Sequence, residues 1–346
     1  MAAPKGETRT NESLSSQTGP ATSPLFLRPA PQISSAVTTH IIMRDMLVAL
    51  TPAALAAVVF FGPRAALVIA TSIGSCVGFE HLWCRLRHTP TTINDLSAAV
   101  TGILLAFNLP STLPLYMVVI GSFVAIIMTK ELFGGLGLNF ANPAIVGRIF
   151  LAVAFPVAMT TFVPATPLIS FGPAVDTMSS ATPLAPTAPP TTLMQLFIGQ
   201  HAGVLGETSA VALLLGMVFL LYRPVITWHI PTAYIGTVAL LSLLTGRDPL
   251  VQVLSGGLML GAIYMATDYS TCPATKRGKF VFGIGCGLIT CLIRFFGNLN
   301  EGVAFSILFM NLLVPYIDQL TPNIPVGGEA IMAERRRAKR GGKAHE

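Results

Sequence analysis

The sequence predicts an all-α membrane protein of about ten transmembrane helices, built as two related halves that each contain a broken half-helix. Three observations predict it. The 346 residues are 52% hydrophobic and only 10% charged, against about 25% charged in soluble domains, and the mean hydropathy is +0.69. Apolar runs of spanning or near-spanning length follow one another along most of the chain. Two stretches also read alike: "LSAAVTGILLAFNLP" (96–110) and "LSGGLMLGAIYMATDYSTCP" (254–273) both end in a polar break at a proline. Each is followed by an apolar run and then an aromatic–Gly turn, an Asn and a small-residue helix start, in "ELFGGLGLNFANPAIVGRIF" and "IRFFGNLNEGVAFSILF". Paired broken segments in two halves mark repeat-built transport folds. Glycine-rich packing helices are the plainer alternative.

The expected spans, in order, are 46–61, 65–83, 96–109, 113–128, 144–159, 209–222, 230–244, 250–266, 280–295 and 303–317. Several fall short of the roughly 20 residues of a full span, and Gly and Pro sit at their ends. If the spans alternate, Arg44, "CRLRH" (84–88), Lys130, Arg223, "KRGK" (276–279) and the C-terminal basic run share one side. That side is expected to be the cytoplasm. The other side receives "FGPR", "NLPST", "TGRDP" and "FGNLNEG", which are short and poor in basic residues. No Lys or Arg occurs between Arg148 and Arg223, so the hydroxyl-rich loop 161–206 is expected outside the cytoplasm. The organisation read from this is a disordered cytoplasmic tail (1–40), a first membrane repeat (41–160), the loop (161–206), a second repeat (207–320) and a basic cytoplasmic tail (321–346).

The net charge of +6 misleads, because "AERRRAKRGGKAHE" at the C-terminus carries six basic and two acidic residues. A basic run beside a membrane helix reads as a topology signal, and no nucleic-acid partner is expected. No cleavable signal peptide is expected either. Cys76, Cys84, Cys272, Cys286 and Cys291 show no zinc-like spacing. Four of them sit in or beside apolar runs, where Cys serves as a small buried hydrophobe. No metal site is expected.

Chemistry-bearing residues fall at the breaks. Asp268 in "MATDYS" ends a predicted helix, and an acid near membrane depth is a functional candidate by default. With Thr267 and backbone carbonyls it could form a cation entrance, or it could be a helix-end acid paired with Lys276 or Arg277. Lys130 and Glu131 hold the related place in the first half, where an ion pair is the stronger reading. Asn139 and Asn142 are candidates to cap or line a half-helix. His81, His88 and His229 lie near helix ends, where interfacial packing competes with pH sensing. In the loop, Pro183 pushes Thr182 into extended geometry behind small neighbours. That exposes its hydroxyl, either for modification or as part of an ordinary solvated Ser/Thr/Pro loop.

"DTMSSATP" (176–183) resembles the flavinylation motif of bacterial flavoproteins: Asp, two residues, Ser or Thr, a small residue, Ala or Ser, then Thr. Ser180 stands where that motif usually carries Gly. A second signature, "YMATDYSTCPATKRGKFVFGIGCGLITCLIRFFGNLNEGVAFSILFMNLLVPYID" (264–318), resembles the family that contains the D subunit of the Rnf ion-translocating oxidoreductase. More distantly the family includes the B subunit of the sodium-pumping NADH:quinone oxidoreductase. The resemblance spans about 41–327, including "NFANPAIVGRIF".

It implies a urea-transporter-like fold of ten helices in two inverted halves, in a bacterial inner membrane. The implied complex moves electrons between ferredoxin and NAD+ and drives Na+ or H+ translocation. A flavin transferase would join the phosphate of FMN to Thr182, with Asp176, Ser179, Ser180 and Ala181 as its recognition motif. A second, non-covalent flavin, riboflavin, is also implied. The implied partners are the other Rnf subunits, among them a second FMN-bearing subunit and iron–sulfur subunits. The rivals are the quinone-reductase homologue and a flavin-free solute channel. The loop has no cation, so backbone N–H groups or a helix N-terminus are expected to hold the phosphate.

Overall fold

The computed structural model describes residues 37–163, 184, 192–199, 201–207, 209–297 and 302–322. Among these the elements are helical, with no strand, as the apolar patterning requires. The compact body begins at Thr39.

The first half opens with α1 (Thr39–Phe61) and α2 (Pro63–Leu86). Gly62 makes their corner at φ 73°, and Pro63 starts α2 with its φ already helical. α3 (Ser97–Phe107) is the short broken segment. The Asp95 carboxylate anchors its start by accepting from the Ser97 N–H at 2.8 Å and Oγ at 2.6 Å. α4 (Leu115–Phe123) runs on as a π-helical stretch over Val124–Glu131, the local widening that recurs at functional sites. α5 (Pro143–Ala154) has Asn142 as its N-cap, accepting from the Ala144 N–H, with Pro143 at the first helical position. α6 (Pro156–Thr160) ends the half.

α7 (Leu193–Ile198) is a short helix within the predicted loop, started by a Thr192/Gln195 capping box and ended at Gly199. The second half comprises α8 (Ala210–Tyr222), α9 (His229–Leu244), α10 (Pro249–Leu254), α11 (Leu258–Leu260) with a π-helical continuation over Gly261–Met265, α12 (Lys276–Phe296) and α13 (Val303–Leu320). The expected single span 250–266 is broken. Gly256 and Gly257 take left-handed φ values of 72° and 65°, which two glycines adopt without a Cβ penalty, and the helix stops at Leu254 and restarts at Leu258.

The neighbour relations repeat. α2 packs on α4, and α9 on α12; α4 with its π stretch packs on α5, and α12 on α13. The halves meet where α1 lies along α8 and α5 along α13. Asp45, early in α1, pairs with Arg223, just past the end of α8, at 2.9 Å. These equivalent helices therefore run antiparallel, which makes the duplication inverted. α1, α2, α12 and α13 are long and apolar enough to cross a membrane, whereas α3, α5, α8 and α9 are shorter apolar helices.

Close helix approach is set by small residues. Ser72 on α2 donates to the Gly102 carbonyl on α3 at 2.7 Å. A Cβ on Gly102 would lie 2.7 Å from the Ile73 Cα, and neither backbone can yield easily. Gly102→Ala is expected to destabilise the body by about 1–3 kcal/mol, the range for overpacking. The check is the thermal midpoint of the detergent-solubilised chain; an unchanged midpoint would show that α2 and α3 have room to part.

Candidate functional site: a cavity between the halves

The inverted duplication brings the two broken segments face to face. Between them lies a partly open cavity of about 60 Å³. Its walls are largely apolar, from Met43, Met46, Leu104 and Ile226. Its polar lining gathers Ser97, Thr101, Lys130, Asn139, Asn142, Thr267, Asp268 and Ser270. Stretches far apart in sequence, 97–104, 130–143 and 264–270, thus supply one site.

Asp268 is half-buried in the connection after the π-helical stretch, outside a spanning segment. Its carboxylate accepts from the Ser270 N–H at 3.2 Å, Ser270 Oγ at 3.1 Å, Thr271 Oγ1 at 3.4 Å and Asn142 Nδ2 at 3.4 Å. Loss of hydration there raises its carboxyl above the ordinary range, while the Ser270 and Thr271 donors pull it down. The Thr267 hydroxyl is tied back to the Ile263 carbonyl, which leaves its oxygen free to accept. Asn142 thus has two duties, capping α5 through its oxygen and reaching the other half through its nitrogen. The Asn139 amide nitrogen donates to the Ala141 carbonyl at 3.0 Å and Ser270 Oγ at 3.4 Å. Among the described residues its buried Oδ1 has no partner, an acceptor that a donor-bearing ligand satisfies.

On the first-half side, Lys130 is 2% exposed and faces Glu80, which is 0% exposed, across 3.1 Å. Lys130 also donates to Ser97 Oγ at 2.7 Å and lies 3.7 Å from Glu131. Thr92 donates its hydroxyl to Glu80. Removing one member of such a buried pair costs about 3–5 kcal/mol, because a charge is left without its partner. Lys130→Met is expected to lose that much, and adding Glu80→Gln to recover most of it. A double-mutant cycle on thermal midpoints measures the coupling; additive effects would mean the pair does not act as one.

Residues 26–327 match the model of the NQR2, RnfD, RnfE family. The chain belongs to this family. Curated relatives align nearly end to end. The D subunit of the Na(+)-translocating ferredoxin:NAD(+) oxidoreductase complex of Acetobacterium woodii is 43% identical over 304 residues, 86% of this chain and 93% of that protein. Its counterpart in the proton-translocating ferredoxin:NAD(+) oxidoreductase complex of Clostridium ljungdahlii is 42% identical over 83% of this chain and 91% of its own length. The D subunit of the ion-translocating oxidoreductase complex of Pectobacterium atrosepticum is 35% identical over 82% and 93%.

In this chain of the NQR2, RnfD, RnfE family, the cavity gathers Asp268 and Thr267 with Asn139, Asn142 and Lys130. The alternative of Asp268 paired with Lys276 or Arg277 finds no support among the described residues, where the partners of Asp268 are neutral donors. His229 stacks on Trp228 with ring centroids 4.4 Å apart, an interfacial packing role. Asp176, Ser179, Ser180, Ala181 and Thr182 lie outside the described residues. Sequence reasoning passes over Glu80, an acid inside an apolar run, which is itself a usable sign. It also passes over Asn311, whose amide, oriented to satisfy its neighbours, donates to the Thr271 carbonyl and accepts from the Asn142 N–H at 3.2 Å each. Away from the cavity lining, Arg148 donates to Asn108 Oδ1 at 2.7 Å, and Arg294 holds the carbonyls at the end of α10.

Proposed function

We propose that this chain is the D subunit of a bacterial ion-translocating ferredoxin:NAD+ oxidoreductase complex, an integral inner-membrane component that works only within that assembly. The observation that carries the reading is the alignment along nearly the whole of relatives bearing that name, 86% of this chain and 93% of the Acetobacterium protein. Those names favour this complex over the sodium-pumping quinone reductase. The cation is Na+ or H+. The two most similar of these relatives, at 43% and 42% identity, are named for one ion each.

Two flavins complete the proposal. Thr182 carries FMN through a phosphoester formed by a flavin transferase, on the sequence evidence of "DTMSSATP". The second is the non-covalent riboflavin that the family resemblance implies; the cavity between the halves, at about 60 Å³, is too small in this structure to hold its three-ring system. Bound flavin supplies one- and two-electron chemistry, and the protein tunes it by orientation and local charge. The chain's own contribution is to exclude water with Met43, Met46 and Leu104 and to hold a cation or proton at Asp268 with Thr267 alongside.

Arg44, Arg223 and Lys279 gather at one end of the body, around Asp45 and Thr227. This supports a cytoplasmic location for that end, with the flavin-bearing loop opposite. The test is affinity purification through a tag on this chain, with deletion as the control. Iron–sulfur subunits and a second flavin-bearing subunit are expected to co-purify, and deletion membranes are expected to lose ferredoxin-dependent NAD+ reduction. A colourless chain that purifies alone and conducts a solute would favour the channel reading instead.

A further inference from the structure

Glu207 is a buried acid at the other end of the two broken segments from Asp268. The central cavity is lined by Ser97, at the start of α3, and by Asp268, just past the π-helical continuation of α11. The opposite ends of the same two elements meet around 206–207. The Gly206 N–H donates to the carbonyl of Phe107, the last residue of α3, at 2.8 Å. The space that a side chain on Gly206 would need is filled by Phe107 and by Leu260 of α11. The two half-helices therefore run antiparallel, with Asp268 at one pair of ends and Glu207 at the other. From Ser97 to Phe107 the backbone climbs about 15 Å. Glu207 also precedes α8, whose far end, Tyr222, leads into Arg223 about 18 Å away. Arg223 belongs to the basic end assigned to the cytoplasm, so Glu207 lies toward the other side.

Glu207 is 5% exposed. Its Oε2 accepts from the Val204 N–H at 3.3 Å, whereas its Oε1 has no partner among the described residues. The side chain lines a partly open cavity of about 10 Å³, room for about one water. The other lining side chains, among them Leu213, Leu254, Leu258 and Leu260, are apolar. The charges acting on Glu207 come from two other helices, Arg148 of α5 most strongly and then Arg294 of α12. His201, in the same connection, is buried, which pushes its imidazole down to about 4 and keeps it neutral. Loss of hydration favours the protonated carboxyl of Glu207, and the two guanidiniums favour the ionised one. Arg148 donates to Asn108 Oδ1 at 2.7 Å, and the Asn108 amide nitrogen donates to the Leu104 carbonyl at 2.7 Å. Leu104 lines the central cavity, so buried polar groups step from that cavity toward Glu207.

We propose that Glu207 is the proton-binding carboxylate on the release side of the ion path, with Asp268 on the uptake side. The proposal rests on the ion-pump reading above and names H+ as the cation that leaves here. A hard cation needs several oxygen ligands, and the apolar side chains of this cavity add none to the carboxylate. A proton needs only Oε1. It forms an O–H bond there on arrival and breaks that bond on leaving. Arg148 and Arg294 favour the release, because they stabilise the carboxylate left behind.

The test uses the whole complex in inverted membrane vesicles, driven by ferredoxin oxidation in sodium-free buffer, with internal acidification as the readout. Infrared spectra of the same complex are recorded across a pH titration. Wild type is expected to acidify the lumen and to show a carboxylic-acid C=O band that titrates. Glu207→Gln keeps an acceptor oxygen for Val204 but cannot exchange the proton. It should lose the band and acidify about a hundredfold more slowly, as for loss of a positioned proton-transfer group. Glu207→Asp keeps a carboxyl, so it should shift the band and recover part of the rate. A Gln variant that keeps the band or the wild-type rate would overturn the proposal and leave Glu207 as a counter-charge to Arg148. If the Gln variant does not assemble, the Asp variant decides: an unshifted band at the wild-type rate overturns it equally. A gradient that forms only with Na+ would also overturn it while leaving the pump reading intact. A wild-type complex that forms neither gradient would sink the pump reading itself, and this role with it.

Discussion

Thr182→Ala is expected to abolish the fluorescent flavin band that otherwise stays with this chain on a denaturing gel. The loss should be complete, because an ester needs the hydroxyl oxygen and alanine has none. Thr182→Ser keeps a hydroxyl before Pro183, where the extended geometry imposed by proline is unchanged, and should retain some of the band. Complex assembly should survive both changes, since the helical body begins and ends its packing outside the loop, through α1–α8 and α5–α13. Ferredoxin-dependent NAD+ reduction should fall with the flavin. A Thr182→Ala chain that keeps its band would move the attachment to a neighbouring hydroxyl such as Ser179 or Ser180.

The second large effect is expected at Asp268. Asp268→Asn keeps the shape of the side chain and one acceptor oxygen for the Ser270 and Thr271 donors. It removes the charge that a passing cation or proton would meet. The cost to the fold is about 1–2 kcal/mol, because one charge-assisted hydrogen bond becomes neutral and an N–H₂ group is turned toward Asn142 or its neighbours. The ion gradient formed per electron transferred should drop by an order of magnitude or more, whereas assembly and flavin content stay at wild-type levels. The assay is ion uptake or acidification in inverted membrane vesicles during ferredoxin oxidation. If Asp268→Asn pumps normally, its carboxylate only shapes the turn before α12, and the ion crosses elsewhere.

Much of this architecture is legible in the sequence, and the reasons are local. The repeated broken segments are visible because each carries its own breaker: Asn108 and Pro110 in one half, Asp268 and Pro273 in the other. The Asn142–Pro143 pair announces a helix start, and the side chain caps it. Lys130 and Glu131 suggest an ion pair, and the nearer partner is Glu80 at 3.1 Å, supplied by α2 from fifty residues upstream. Hydropathy averaged over 65–83 hides that acid, although an acid inside an apolar run is a sign in itself. The second broken segment reads as a single span because Leu254 and Leu258 flank the glycines. Only the left-handed φ values of Gly256 and Gly257 show where the helix parts.

Arg294 is not legible at all. A lone Arg near a helix end is an ordinary interfacial residue, and its three carbonyl acceptors come from a different helix and a different break. Asn311 is hidden for the same reason, because its partners Thr271 and Asn142 belong to two separate turns.

The most direct test of the account is the mass of the wild-type polypeptide, purified from a host that makes the flavin transferase and then digested and mapped. The predicted result is one added FMN, less water, on the peptide that contains Thr182. A peptide recovered at its unmodified mass would contradict the electron-carrying role assigned to this loop.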